Sequence, residues 1–467
     1  VFFEYTTLDS FAEYLIAEHP AAFAAGTPSD MQSDAPEVNV IEINAVEVEV
    51  EVEKEEVNPV RKPRSRWAPK VVQPVQLTQV AQDTQAEPEP MAIVGISGLF
   101  PMAQDVNEFW RNIVEGKDCI TEIPKERWDW RECLDDPSEA QGHSSLKWGG
   151  FIEGVEEFDP LFFGISPREA EIMDPQQRLL LTQVWKAVED AGIAPGKLSQ
   201  DPIGVFVAAG PGDYMNITSI SQGNPQAMTG VVPSLIPNRI SYALNLQGPS
   251  EYYETACSST LVALHRAIRS IRDQECEQAI VGAVNLLISP IGFIGFDAMG
   301  YLSPDGHAKS FQSDADGFVR SEGVGAMIIK PLSKAIKDHN LIYAVIKGTG
   351  VSHGGKGMSL TSPNAGGMKA AMSQAFKGSG VHPRTISYIE AHGIASPMAD
   401  GIEVNALRAG YQEIASNSSS AIDSVKDNAC YISTLKPAMG HGEVASGMAS
   451  LIKAIQAIRH KLIPGVV

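Results

Sequence analysis

Four apolar runs constrain this chain more than any other feature. The segments IGVFVAAG (203–210), QAIVGAVNLLI (278–288), GAMIIKPL (325–332) and YAVIKGTGV (343–351) show no alternation of apolar and polar residues. A strand with one wet face alternates, so strands written this way belong in sheets covered on both faces. The cover comes from stretches between them, such as DPQQRLLLTQVWKAVEDAG (174–192) and GGMKAAMSQAFKGSG (366–380), which read as helices. The pattern predicts a layered α/β protein. With 467 residues, 43% of them hydrophobic, the chain can bury a large core. At roughly 100–200 residues per domain it holds two or three folded units.

The folded part is expected to start at MAIVGISGLFP (91–101). Upstream, residues 1–18 place Leu8, Phe11, Ala12 and Leu15 on one helical face, with Thr6 or Thr7 able to cap it. One such helix does not fold alone, so the chain is read as opening in mid-domain. Residues 19–89 change to Ala, Gln, Pro, Val and Glu, with EVEVEVEKEE at 47–56 and the basic RKPRSRWAPK at 61–70. This stretch is expected to be a solvated, acidic linker without fixed structure.

Charge and cysteine usage remove several function classes. A formal charge of −21 repels nucleic acid and anionic membranes. Cys119, Cys133, Cys257, Cys276 and Cys430 are scattered and odd in number, and none forms a CxxC pair. That usage fits a reducing, cytoplasmic setting better than a disulfide framework or a zinc site, and no metal is expected. There is no secretory leader pattern and no long uninterrupted apolar stretch, so membrane insertion is not expected.

One cysteine stands apart. In ETACSSTLVALHRAIRSI (254–271), Cys257 precedes a helical face made by Leu261, Leu264, Ile268 and Ile271. A thiol at a helix N-terminus meets unpaired N–H groups and the positive end of the dipole, which favour the thiolate. Alone, a cysteine is more often a buried structural residue. Two histidines give it company. His392 follows the apolar run of ISYIEAHGIASPMADGIE (386–403), where a strand's C-terminal end places its ring among ligand sites. His441 lies between a strand and a helix starting near Glu443, and a helix N-terminus keeps an imidazole neutral. Lys436 is either a snorkelling surface residue or a charge balanced by Asp400 or Glu403.

These residues also resemble a family. TACSS, EAHG and LKPAMGH, with FFGISPREAEIMDPQQRLLL, NRISYALNLQGPS and SDADGFVRSEGVGA, are similar to ketosynthase domains of modular polyketide synthases, in the thiolase-like superfamily. The resemblance runs from about residue 89 to 467 and implies a thiolase-like αβαβα fold of two similar α/β halves, 90–343 and 344–467. It implies that Cys257 carries an acyl chain as a thioester. It implies too that His392 and His441 assist decarboxylation of malonyl carrier protein and carbon–carbon bond formation, with Lys436 and Glu403 supporting the second histidine, His441, and Asp400 also in support. The expected partners are acyl carrier proteins and a second copy of the chain. No cofactor is expected in the domain itself, because substrates arrive on phosphopantetheine arms. Residues 1–18 resemble the last helix of a carrier protein, and KWGGFI (147–152) points to the trans-acyltransferase type of assembly line.

Two departures from the family pattern stand out. His-Gly-Thr-Gly-Thr is replaced by His392-Gly393-Ile394-Ala395-Ser396, so of two pantetheine-binding hydroxyls Ile394 loses one and Ser396 keeps the other. The chain also ends at KLIPGVV, before the family's C-terminal Gly-rich loop, so the second half is expected to be incomplete or completed by another chain. The rival functions are a non-elongating ketosynthase that only passes acyl chains on, and a non-catalytic docking module. GVSHGGKG (350–357) resembles a phosphate loop but has Gly357 where Ser or Thr is needed, and SDADGFVRSEG lacks the closing acid of a calcium loop. His265 is read as a satisfied core histidine, and Tyr252 and Tyr253 as core or dimer-contact residues.

Overall fold

The computed structural model describes residues 88–133, 144–210, 212–217, 227–357, 359, 361–417 and 429–465. The helix expected over 1–18 and nearly all of the linker expected over 19–89 lie outside the described residues. Among these, the strands are β1 (Met91–Leu99), β2 (Thr121–Glu122), β3 (Trp148–Gly150), β4 (Ile203–Ala209), β5 (Ser250–Tyr253), β6 (Gln278–Asn285), β7 (Arg320–Ser321), β8 (Gly323–Pro331), β9 (Ala344–Ile346), β10 (Tyr388–Glu390) and β11 (Tyr431–Ser433).

Six of them make the main sheet, in the order β5-β4-β6-β8-β1-β9. β4 runs parallel to β5 and β6, whereas β8 is antiparallel to β6 and β1. Every residue of β1, β4 and β6 is buried, as their unbroken apolar sequences predict. Alternate residues of one strand feed two cores. Val205, Val207 and Ala209 share a core with Leu180 and Val184 of the helix Pro175–Asp190. Phe206 and Ala208 share the other with Ala263 and Leu264 of the helix Ser259–Arg272, and with Met448 and Ile452 of the helix Ser446–His460. Each fully buried large apolar side chain contributes about 1.5–3 kcal/mol. β1 bulges between Ile93 and Gly95, where a Cβ on Gly95 would stand 2.3 Å from the Ala187 carbonyl oxygen. Glycine is what lets the helix settle onto the sheet there.

The helix Ser446–His460 also reaches a second sheet. Its Lys453 bonds Ser433 of β11, which runs parallel to β10. The helices Ala365–Phe376 and Pro397–Asn417 pack against each other in this half. The layers are those of the αβαβα thiolase-like fold, but among the described residues the halves are unequal, six strands against two. The run 343–351, all but Tyr343 assigned from sequence to the second half, contributes β9, and β9 joins the first sheet beside β1. Tyr343 fixes that placement, its N–H donating to the Ile93 carbonyl (2.9 Å) and its hydroxyl to Asp190 (2.8 Å). No helix among the described residues is long and apolar enough to cross a membrane.

Candidate active site

After β5 the chain must reverse into the helix Ser259–Arg272, and Ala256 takes φ +54° to do so. Left-handed backbone costs a residue with a Cβ about 1–3 kcal/mol and persists only where neighbours enforce it. Here hydroxyls enforce it. Ser259 Oγ accepts from the Thr255 N–H (2.7 Å) and donates to the Ala256 carbonyl (2.7 Å), while Ser258 Oγ donates to the Thr255 carbonyl (2.8 Å). Thr260 Oγ1 donates to the Val444 carbonyl (2.6 Å), tying this turn to the loop of His441. The run Thr255-Ala256-Cys257-Ser258-Ser259-Thr260 is thus a small-residue turn stitched by its own side chains.

Ser258 holds the N-cap position of the helix without a side-chain capping bond, so Cys257 stands one position ahead of the cap. The expectation of a thiol lowered by the helix terminus is not what the environment produces. Burial pushes the Cys257 thiol up, Lys436 opposes this without reversing it, and Glu443 adds to it. The resting thiol keeps its proton and needs a base. His441 Nε2 lies 3.0 Å from Cys257 Sγ.

His441 is almost fully buried. Its N–H donates to the Val319 carbonyl (2.7 Å) and its carbonyl accepts from the Ser321 N–H (3.0 Å), a bridge beside β7. Ser446 Oγ lies 3.0 Å from Nδ1, and the Phe318 ring stands edge-on at 5.2 Å. A hydroxyl donates or accepts, so Ser446 serves either ring tautomer. Burial first, then Lys436, His392 and Arg320, hold the ring well below its ordinary pKa. It is neutral, as the sequence predicts, with burial and not a helix terminus as the main cause.

His392 follows β10. The Glu403 carboxylate accepts from the N–H groups of His392 (2.7 Å) and Gly393 (2.8 Å), while Thr434 Oγ1 (3.1 Å) and Lys436 Nζ donate to the His392 carbonyl. The residue stands at the open rim of the site, yet protein atoms crowd its ring. That crowding, with the Lys436 ammonium nearby, lowers its pKa to about 3. The two rings are nearly perpendicular, 5.5 Å between centres. Cys257 Sγ and one ring nitrogen from each histidine all lie within 4.8 Å. That spacing would also admit a metal ion, and a hydrogen bond already joins Cys257 to His441.

The supporting residues sit as follows. Lys436 is buried in the short helix Lys436–Met439, not snorkelling at the surface. Lys436 and Glu403 both bond the backbone of His392 and neither bonds His441. Asp400 accepts from the Phe311 N–H (2.8 Å), and its Oδ1 has no hydrogen-bond partner among the described residues. Ile394 packs against the apolar cluster that holds Phe293 and Phe318, and Ser396 opens the helix Pro397–Asn417, its carbonyl accepting from the Asp400 N–H (2.9 Å). His265 Nδ1 lies 2.8 Å from Thr349 Oγ1.

Sequence reading missed Ser446, Thr434, Thr260 and Phe318. The calcium-like stretch carried a signal in its Arg and Glu. Its Glu322 is fully enclosed, pairs with Arg127 (2.8 Å) and accepts from the Ile152 and Leu287 N–H groups (2.8 Å each). Its Arg320 pairs with Glu443 (2.7 Å) two residues beyond His441.

A cysteine on one α/β half, facing two neutral histidines on the other, defines a condensing enzyme of the thiolase-like class. Family profiles agree: "Beta-ketoacyl synthase, N-terminal domain" matches residues 88–335 and "Beta-ketoacyl synthase, C-terminal domain" matches 343–467. The chain belongs to the β-ketoacyl synthase family. It is 52% identical over 468 residues to polyketide synthase PksR of Bacillus subtilis (strain 168), covering 100% of this chain and 17% of that protein. It is 47% identical over 376 residues to polyketide synthase ThaG of Burkholderia thailandensis, covering 80% of this chain and 6% of that one. Among solved structures, the oxazolomycin ketosynthase domain OzmH KS7 of Streptomyces albus JA3453 matches with a TM-score of 0.74 at 37% identity, covering 81% of this chain and 65% of that one. The ketosynthase from module 6 of the bacillaene synthase of Bacillus subtilis 168, in a cysteine-to-serine mutant form, also matches with a TM-score of 0.74, at 35% identity over 81% and 63% of the two chains.

Proposed function

We propose that this chain is the ketosynthase of a polyketide assembly line, accepting an acyl chain on Cys257 and extending it by decarboxylative Claisen condensation. The observation that carries this reading is the 3.0 Å contact between His441 Nε2 and Cys257 Sγ, with His392 facing the same space. In the first half-reaction His441 takes the thiol proton, the sulfur attacks the incoming thioester, and the carrier's pantetheine thiol departs with a proton. In the second, the two neutral rings donate hydrogen bonds to the thioester oxygen of a malonyl carrier protein. The bond to the carboxylate breaks, CO2 leaves, and its electron pair becomes an enolate held by those donors. The enolate carbon attacks the acyl-Cys257 carbonyl. The carbon–sulfur bond then breaks, the sulfur regains a proton from solvent, and the β-ketoacyl thioester remains on the carrier.

The partners in this reading are acyl carrier proteins and a second copy of the chain. β5 ends the main sheet with one side paired to β4, which leaves its other edge for that copy. Residues 1–18 belong to a carrier protein, and the assembly line is of the trans-acyltransferase type. Ile394, packed among aromatics where a hydroxyl would orient the pantetheine arm, supports the second reading, acyl transfer without elongation.

Mass spectrometry on carrier-bound substrates separates these readings. The full protein is loaded from an acyl carrier thioester and then offered malonyl carrier protein. An adduct on Cys257 followed by a β-ketoacyl carrier is the expected result. An adduct without condensation gives the non-elongating reading, and no adduct on Cys257 overturns both.

A further inference from the structure

Lys453 and Glu390 form an ion pair that the reaction above does not use. Lys453 Nζ lies 2.8 Å from Glu390 Oε2, with the two side chains 2% and 7% exposed. Lys453 also donates to Ser433 Oγ (3.0 Å), the Tyr388 hydroxyl donates to Glu390 Oε2, and Glu390 Oε1 has no hydrogen-bond partner among the described residues. Burying two charges is expensive, and apolar residues of similar volume would pack the same space as well or better. Location gives the pair a use. Glu390 ends β10 two residues before His392, and Ser433 ends β11 directly before Thr434, which bonds the His392 carbonyl. Lys453 spans both strand ends. Lys436, the other donor to that carbonyl, faces Glu390 from β10, Asp400 and Glu403 from the helix Pro397–Asn417, Cys257, and both histidines. Of these anions Glu390 does most to favour its charged form.

We infer that the Lys453–Glu390 pair is a positioning device for condensation: it clamps together the ends of the two strands that hold His392. This rests on the ketosynthase reading, in which His392 acts on the malonyl group and not in loading Cys257. The pair touches no reacting atom. Its effect runs through the placement of the His392 ring, where a shift of even an ångström costs about a hundredfold in rate.

The test uses Glu390→Gln and Lys453→Arg in the full protein, with loading of Cys257 and condensation followed separately by mass spectrometry. Wild-type protein must do both: no loading would sink the ketosynthase reading, and loading without condensation would sink its elongating form, before the variants are considered. Glu390→Gln should cut condensation by roughly ten- to a hundredfold while loading stays within about threefold. Its condensation should also fail at lower alkaline pH, because removing a negative neighbour lets Lys436 lose its proton more readily. Lys453→Arg should retain most of the activity. Should Glu390→Gln not fold, Ser433→Ala keeps both charges and removes only the tie to β11, and it should lower condensation several-fold with loading unchanged. Parallel loss of both half-reactions, with the alkaline limb unmoved, would make the pair a packing element and overturn the inference.

Discussion

β4 and β6, which lie inward of β5, the edge strand leading to Cys257, bury every residue, whereas β5 itself and β10, which leads to His392, fully bury none. The partner of β10, β11, leaves Tyr431 59% and Ile432 42% exposed. The first region is held by carbon packed on both faces of a sheet. The second is held by charge: Glu403 on the His392 and Gly393 N–H groups, Lys436 on the His392 carbonyl, and Lys453 paired with Glu390 behind them. The difference follows from what each must position. A nucleophile on a strained turn needs a stiff base, which nondirectional packing supplies. A ring that must aim a hydrogen bond needs its backbone fixed in direction, and charge-assisted bonds supply that.

The largest effect expected on this comparison is at the packed wall. Cys257→Ala should abolish acylation by a thioester mimic, and no other cysteine should take its place. Cys119 and Cys276 are buried, with Cys119 pushed up to about 11, while burial raises the thiols of Cys133 and Cys430. Peptide mapping after incubation checks this, and labelling that persists in Cys257→Ala would refute it.

The histidines should separate the two walls kinetically. His441 touches Cys257 and lies within the packed half's reach, so His441→Ala should slow loading and condensation together. His392→Ala should leave loading within several-fold and lower condensation by about a hundredfold or more, the usual cost of one lost donor to a developing oxyanion. Equal loss of both half-reactions in His392→Ala would erase the distinction.

Acid should strain the site through the same two rings. Both are held neutral in the folded protein, His392 to about 3 and His441 well below its ordinary value. An unfolded histidine binds its proton near pH 6.5. Below that pH the unfolded chain holds more protons than the folded one, so stability is present above about 6.5 and falls as pH drops toward the folded values. For buried His441 the slope approaches ~1.4 kcal/mol per pH unit. His392, at the rim, adds in the same direction but less, because solvent screens it. Denaturation midpoints from pH 7 to 4 should fall less steeply in His441→Gln, and an unchanged slope would mean that the ring is protonated in the fold.

Much of this was legible in the sequence, and unevenly so. Unbroken apolar runs announced β4, β6 and β8 because burial on both faces leaves that mark. Cys257, His392 and His441 stood out because their flanking small residues and glycines are needed for sharp turns at strand ends. Their meeting did not: Cys257 and His441 are 184 positions apart, and no local pattern encodes such a contact. Ser446 and Thr434 are ordinary hydroxyls until a ring or carbonyl is placed against them. Glu390 reads as the end of a strand and Lys453 as one polar position on a helix, so their pairing needs both sheets in place. The rise of the Cys257 thiol was hidden for a related reason, since a helix terminus is visible in sequence and desolvation is not.

The smallest expected effect lies at Ile394, where the proposed function puts the pantetheine arm. Its side chain packs against the apolar cluster that holds Phe293 and Phe318, and Phe318 also stands against the His441 ring. A threonine there would return a hydroxyl to the position where the family pattern binds pantetheine. One neutral hydrogen bond is worth only about 0.5–1.5 kcal/mol, which sets the gain in affinity at several-fold. Better placement of the arm adds to that in condensation alone, because loading depends on Cys257 and His441 instead. Threonine also removes apolar contact from the cluster, so Ile394→Thr should lose a little thermal stability while condensation rises several-fold and loading holds steady. Carrier-bound ketide and Cys257 adduct, quantified in the same reaction, decide it. Condensation that is fast in the wild type and unmoved by the substitution would show that arm placement does not depend on this hydroxyl. Loading without condensation in both proteins would instead place the limit beyond the loop, in the charge-held wall itself.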